Sequence, residues 1–171
     1  MFKDYEFFKD AENLNKYAQV EFIENLIKYE QPIHIEDIYE NMKSILKEKK
    51  KTKHLKNSTL KLIKANKNTV YSKGEYYYHE SFDINKFTPR KRRNPSLSKI
   101  SDDEIKLAII NTLKIQYDIP EDELIKTSSK NLGFNKVGNK IKKRFEELIN
   151  ELIKENEINL NENGTLGLKF N

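Results

Sequence analysis

Glu157-Ile158-Asn159-Leu160-Asn161-Glu162-Asn163-Gly164-Thr165-Leu166-Gly167-Leu168-Lys169-Phe170 is the stretch that decides how this chain folds. Apolar residues alternate on both sides of Asn163-Gly164, and an Asn-Gly pair between alternating strands predicts a β-hairpin closed by a type I′ turn. Just upstream, Ile141, Phe145, Leu148, Ile149 and Leu152 recur at helical spacing from a start at Gly138 or Asn139. Further back, Leu132-Gly133-Phe134 ends a second helix, since glycine adopts the left-handed cap conformation without a Cβ clash. That helix starts at Glu121-Asp122-Glu123, where carboxylates suit the helix dipole, after an extended Ile119-Pro120 step that sets Pro120 near the first turn. Before it, Ser101-Asp102-Asp103-Glu104 fits a capping box, followed by the stripe Ile105, Ala108, Ile109, Thr112 and Leu113.

The same order of signals occurs once more, earlier in the chain. Tyr17, Val20, Phe22, Ile23, Leu26 and Ile27 mark a helix that Gln31-Pro32 stops. Pro32-Ile33-His34-Ile35 is extended, Glu36-Asp37 opens a second helix, and Ile38, Met42, Ile45 and Leu46 form its apolar face. Leu55, Leu60, Leu62 and Ile63 suggest a third helix to about Asn66. Thr69-Val70-Tyr71 and Tyr76-Tyr77-Tyr78, around Ser72-Lys73-Gly74-Glu75, read as a hairpin. A period of about 70 residues is too long for a solenoid and suits a duplicated domain. Three helices closed by a hairpin describe a winged helix. The expected architecture is α+β, mainly α: an N-terminal helical extension over 1–15, a winged-helix domain over 16–85, a basic linker over 86–99, and a second winged-helix domain over 100–171.

Composition narrows the function. The chain has 171 residues, 36% hydrophobic and 35% charged, and no cysteine, which excludes a disulfide framework and a thiolate zinc site. No apolar run approaches the roughly 20 residues of a membrane span, and the acidic, aromatic start is unlike a signal peptide; a cytoplasmic protein is expected. The net charge of +5 is unevenly placed. Residues 43–99 carry 17 Lys/Arg against 4 Asp/Glu, whereas 1–42 carry 4 against 10 and 100–171 carry 11 against 13. Concentrated like charge points to a polyanionic partner, against the plainer reading of a solvated loop.

Gln31-Pro32-Ile33-His34, the basic stretch Arg90-Lys91-Arg92-Arg93, Ile100-Ser101-Asp102-Asp103-Glu104-Ile105, Leu132-Gly133-Phe134 and Gly138 together resemble the uncharacterised C-terminal module of large bacterial superfamily I helicases, sometimes found near a very-short-patch-repair-like endonuclease domain. The resemblance spans roughly residues 16–170. It implies an accessory winged-helix region of a DNA- or RNA-processing machine. The chain departs from those proteins in having no Walker A sequence, helicase motif or nuclease signature, so no activity is carried over.

In a helix-turn-helix the third helix enters the major groove while flanking groups hold phosphates. In the first domain this makes Lys49, Lys50, Lys51, Lys53, Lys56, Asn57, Lys61 and Lys64 the candidate nucleic-acid contacts, with Ser58 and Thr59 beside them. Tyr71, Lys73, Tyr76 and Tyr78 are the wing candidates, although alternating tyrosines on a hairpin are read first as core cover. The linker adds Arg90, Lys91, Arg92 and Arg93, as a phosphate-tracking arm or a charged hinge. In the second domain Lys140, Lys143 and Arg144 are the candidates, with Lys136 and Lys142, but they share their helix with Glu146, Glu147, Glu151 and Glu155, so this half is the weaker binder.

His34, His54 and His79 lack any ligand spacing, His34 reading as a turn or helix-cap residue, and the carboxylate clusters sit where helix starts want negative charge. No catalytic residue, metal or cofactor is expected. The expected partner is nucleic acid, DNA before RNA. The competing readings are an adaptor docking on a helicase or nuclease subunit, and a stand-alone winged-helix transcription regulator.

Overall fold

Both halves of the chain build their elements in one and the same order. The computed structural model describes residues 15–169, and the chain divides into two compact units between Asp83 and Ile84. The first contains α1 (Lys16–Glu30), β1 (Ile33–His34), α2 (Ile35–Ile45), α3 (Lys53–Ala65), β2 (Val70–Lys73) and β3 (Tyr76–His79). The second contains α4 (Asp102–Gln116), β4 (Ile119–Pro120), α5 (Glu121–Asn131), α6 (Asn139–Lys154), β5 (Ile158–Leu160) and β6 (Thr165–Leu168), preceded by a single 3₁₀ turn at Leu97–Lys99. The chain is thus α+β. Each unit has one three-stranded antiparallel sheet, ordered β1-β3-β2 and β4-β6-β5. Among the described residues no helix is long and apolar enough to cross a membrane. The predicted N-terminal extension lies, but for Asn15, outside the described residues.

Local chemistry explains where the helices begin. Asn15, Thr52 and Ser101 each accept a backbone N–H three residues on, at 3.0, 3.1 and 3.2 Å, which satisfies one of the free donors at a helix start. His34 does the same for α2, its Nδ1 accepting from Glu36 N–H at 3.1 Å, as the cap reading of this histidine anticipates. The capping box at Ser101 is only half made. The serine caps, but the Glu104 carboxylate turns away to other partners described below. At the end of α5, Gly133 is left-handed (φ +102°), and Phe134 N–H donates to Ser129 O at 3.0 Å, closing the helix with a Schellman-type bond.

The helical stripes meet in two cores. Phe22, Ile23, Ile27, Ile38, Met42, Leu55 and Leu62 fill the first, and Ile105, Ile109, Leu113, Leu124, Phe145, Leu148 and Ile149 fill the second. Each side chain of this kind contributes about 1.5–3 kcal/mol on full burial. The extended steps at Ile33 and Ile119 become third strands: Ile33 pairs with Tyr77, and Ile119 with Leu166.

The two hairpin turns differ from each other, and the second differs from expectation. Gly74 has φ +59° and Glu75 is not left-handed, so β2 and β3 are joined by a two-residue loop with the signature of a type II′ turn. At the second hairpin only Gly164 is left-handed, at φ +79°, and Asn163 is not. Gly164 N–H donates to Asn161 O at 2.9 Å and Asn161 N–H to Thr165 O at 2.8 Å. This is a three-residue loop with a G1-type bulge, not the expected type I′ turn. The Asn163 Oδ1 accepts from Thr165 N–H at 3.1 Å, which holds that residue in an Asx arrangement. Open space surrounds an added methyl at Gly164. Gly164→Ala is therefore expected to destabilise the second unit by about 1–2 kcal/mol, from left-handed strain alone, readable by urea denaturation.

Candidate nucleic-acid interface

α3 has no acidic residue, and its exposed side is basic. Leu55, Thr59, Leu62 and Ile63 point inward, which turns Lys53, Asn57, Lys61 and Lys64 outward along one stripe at i, i+4, i+8 and i+11. His54 lies exposed at the edge of that stripe. The three lysines have no carboxylate partner among the described residues. Ser58 and Thr59 do not join them. Both hydroxyls donate back to Leu55 O, at 2.9 and 2.8 Å, so Asn57 is the one amide on the stripe that presents donors and acceptors outward.

Two predicted contacts are held elsewhere. Lys51 donates to Glu36 at 2.6 Å and reaches Glu40 at 3.0 Å, while Lys56 donates to Glu36 at 2.8 Å and lies 5.0 Å over the Tyr39 ring. These bonds tie the start of α2 to the α2–α3 turn and to α3. Lys49 and Lys50 are exposed in that turn, off the helix. On the hairpin, Tyr78 is buried and stacks on the half-exposed Tyr71, with Lys73 Nζ 5.2 Å above the Tyr78 ring. Tyr78 thus serves as core cover, Tyr71 lies over it at the surface, and Lys73 leans on the Tyr78 ring.

Hydrogen bonds from Lys51 and Lys56 hold the Glu36 carboxyl down to about 2, from an ordinary 4.5. Glu40 is likewise lowered to about 2, by Lys43 and Lys51. Because the folded values lie below the unfolded ones, the stabilisation is complete above the ordinary carboxylate range and is lost as pH falls from there toward 2. The pairs are only part-buried and stay screened by solvent, so the effect is small. Glu36→Gln is expected to flatten the acid limb of the first unit's stability between pH 4.5 and 2, followed by thermal melts across that range.

The basic stretch at 90–93 belongs to the second unit and faces two ways. Glu104 is fully buried, and Arg92 donates to both of its oxygens, each at 2.8 Å. Arg90 N–H donates to the same carboxylate at 2.9 Å, and its guanidinium lies 6.0 Å from the Phe87 ring centre. Arg92 N–H also donates to Leu132 O at 3.1 Å. A buried carboxylate needs such compensation, and a bidentate arginine supplies it with fixed geometry. Arg90 and Arg92 therefore anchor the segment, which is not a free linker here, while Lys91 and Arg93 remain exposed.

On α6 the charges are mixed. Lys140 and Lys143 are exposed, but Arg144 bonds to Asp102 and to Glu147, and Lys142 to Asp122 at 2.8 Å. Glu147 and Glu151 also lie exposed on α6, and Glu151 and the C-cap residue Glu155 bond to Lys106 at 3.0 and 2.8 Å. Of the sixteen candidate side chains, the structure thus gathers Lys53, Asn57, Lys61 and Lys64 into one stripe in the first unit, and gives Lys51, Lys56, Arg90, Arg92 and Arg144 carboxylate partners. Among the described residues no cluster of three His, Asp or Glu side chains is placed to hold a metal ion. No protein-family model, no curated protein and no solved structure matches this chain.

Proposed function

We propose that the protein is a non-catalytic nucleic-acid-binding module, with DNA as its ligand, in which each unit is a winged helix and the first makes the principal contact. Supporting the winged-helix reading is the element order helix, strand, helix, helix, hairpin, with the short first strand paired to the last strand of the hairpin in both sheets. The observation that carries the functional reading is the outer stripe of α3: Lys53, Lys61 and Lys64 around Asn57, with no acidic residue anywhere on the helix. Lysines without partners keep their charge available to phosphates, and an asparagine between them can pair with an adenine edge in the major groove. The exposed Lys49 and Lys50 flank the stripe at its start, as backbone contacts do. An accessory role beside a helicase or another DNA-processing enzyme fits a chain whose second unit ties up much of its basic charge internally, as at Arg92, Lys142 and Arg144.

Measuring affinity for duplex, forked and single-stranded DNA against salt tests this. Contact with three to five phosphates predicts a log–log slope of about −3 to −4.5 on duplex DNA. A weak affinity that does not change between low and moderate salt would sink the proposal.

A further inference from the structure

The second unit has a recess of its own. Between the outer side of α5 and the turn leading into α6 lies an open groove of about 570 Å³, a volume in the range that receives small ligands or a few peptide side chains. Its floor is apolar. Ile125 and Phe134 line it from the core side, and Val137 from the turn is 37% exposed. Its rim is cationic: Lys126 and Lys130, one helical turn apart on α5, and Lys136 from the turn all stand exposed, without carboxylate partners among the described residues.

The end nearer the start of α5 is different. There Asp122 holds Lys142 at 2.8 Å, with Glu146 at 3.9 Å from the same ammonium. A nucleic-acid backbone running along the groove would meet those carboxylates. A short segment with its charge confined to the lysine end would not. The apolar floor also has nothing to offer a phosphate, but it does offer a seat for one hydrocarbon side chain.

We propose that this groove docks a short acidic peptide segment of a partner protein, one apolar side chain resting on Ile125, Phe134 and Val137, and carboxylates facing Lys126, Lys130 and Lys136. The site is independent of the α3 stripe and stands or falls separately from it.

The test uses the full chain and a dye-labelled peptide of glutamates around a single phenylalanine, read by fluorescence anisotropy. A matched peptide carries alanine in place of the phenylalanine. The phenylalanine peptide is expected to bind saturably, and the alanine peptide about tenfold more weakly. Lys126→Glu with Lys130→Glu, both at exposed positions, is expected to weaken binding by about tenfold or more. Val137→Ser reduces it without touching charge. Combined change of Lys53, Lys61 and Lys64 to alanine leaves it unchanged. Absence of saturable binding, equal affinity for the two peptides, or indifference to the Lys126/Lys130 reversal overturns the proposal. Displacement of the peptide by a DNA duplex at matched salt does so too, because the groove would then belong to nucleic acid.

Discussion

Changing Lys53, Lys61 and Lys64 together to alanine is expected to lower affinity for duplex DNA about a hundredfold near 0.1 M salt, and to reduce the salt slope by about 2.7. Each lysine lies on the outer stripe of α3 and holds no carboxylate, so none contributes an internal bond that its loss would break. Alanine raises helix propensity slightly, so the fold is retained and the loss is assignable to phosphate contact. The paired lysines supply the control. Lys51→Ala removes bonds to Glu36 and Glu40, and is expected to lower stability slightly while leaving the slope nearly unchanged. Asn57→Ala differs again. It is expected to relax preference among sequences, at about 1–3 kcal/mol for the base it reads, with the salt slope intact. Filter-binding or anisotropy titrations at several salt concentrations separate the three outcomes.

Gly133→Ala is expected to destabilise the second unit by at least about 3 kcal/mol. Two effects act together. The residue has φ +102°, a conformation that side chains resist, and a Cβ there would lie 1.9 Å from the Arg92 carbonyl oxygen. That oxygen is backbone, held by Arg92 N–H bonding to Leu132 O and by the guanidinium on buried Glu104. It cannot yield without the anchor yielding. Gly164→Ala, also left-handed but in open space, makes the comparison: its smaller loss isolates strain, and the excess at Gly133 isolates the crossing of the 90–93 segment over the end of α5. Urea unfolding of the two variants measures both. Amide exchange at Lys91 and Arg93 should also accelerate in Gly133→Ala. Equal stability losses at the two glycines would mean that the segment does not pack there.

The helices were legible because their apolar residues recur with the period that burial imposes, and the starts of α2, α4 and α5 because the acids at 36–37, Ser101 and the acids at 121–123 are cap chemistry. Other features had no such signature. β1 and β4 are two residues each, too short for alternation to register, and they exist because the hairpins offer an edge to pair with. The turn at Gly164 turned on which side chain stabilises which φ, and the Asx bond of Asn163 favoured the longer loop over type I′. The run Arg90-Lys91-Arg92-Arg93 has no readable phase in sequence. Its two inward members are selected by one buried carboxylate, Glu104, whose role as half of a capping box was the natural reading of Ser101-Asp102-Asp103-Glu104. In the same way nothing in the spacing of Lys51 and Lys56 distinguished them from Lys53 and Lys61; Glu36, fifteen and twenty residues away, does.

The two units share their order of elements and differ in what their third helices display. α3 presents Lys53, Lys61 and Lys64 without counter-charge, whereas α6 carries Lys140 and Lys143 on a helix whose Lys142 and Arg144 bond carboxylates. The most direct measurement is an amide chemical-shift titration of the full chain with a short DNA duplex. If α3 is the interface, shifts and line broadening concentrate at Lys53, Asn57, Lys61 and Lys64 and at Lys49 and Lys50, and fade as salt is raised. Perturbation centred on α6, or none on α3 at low salt, would contradict that assignment.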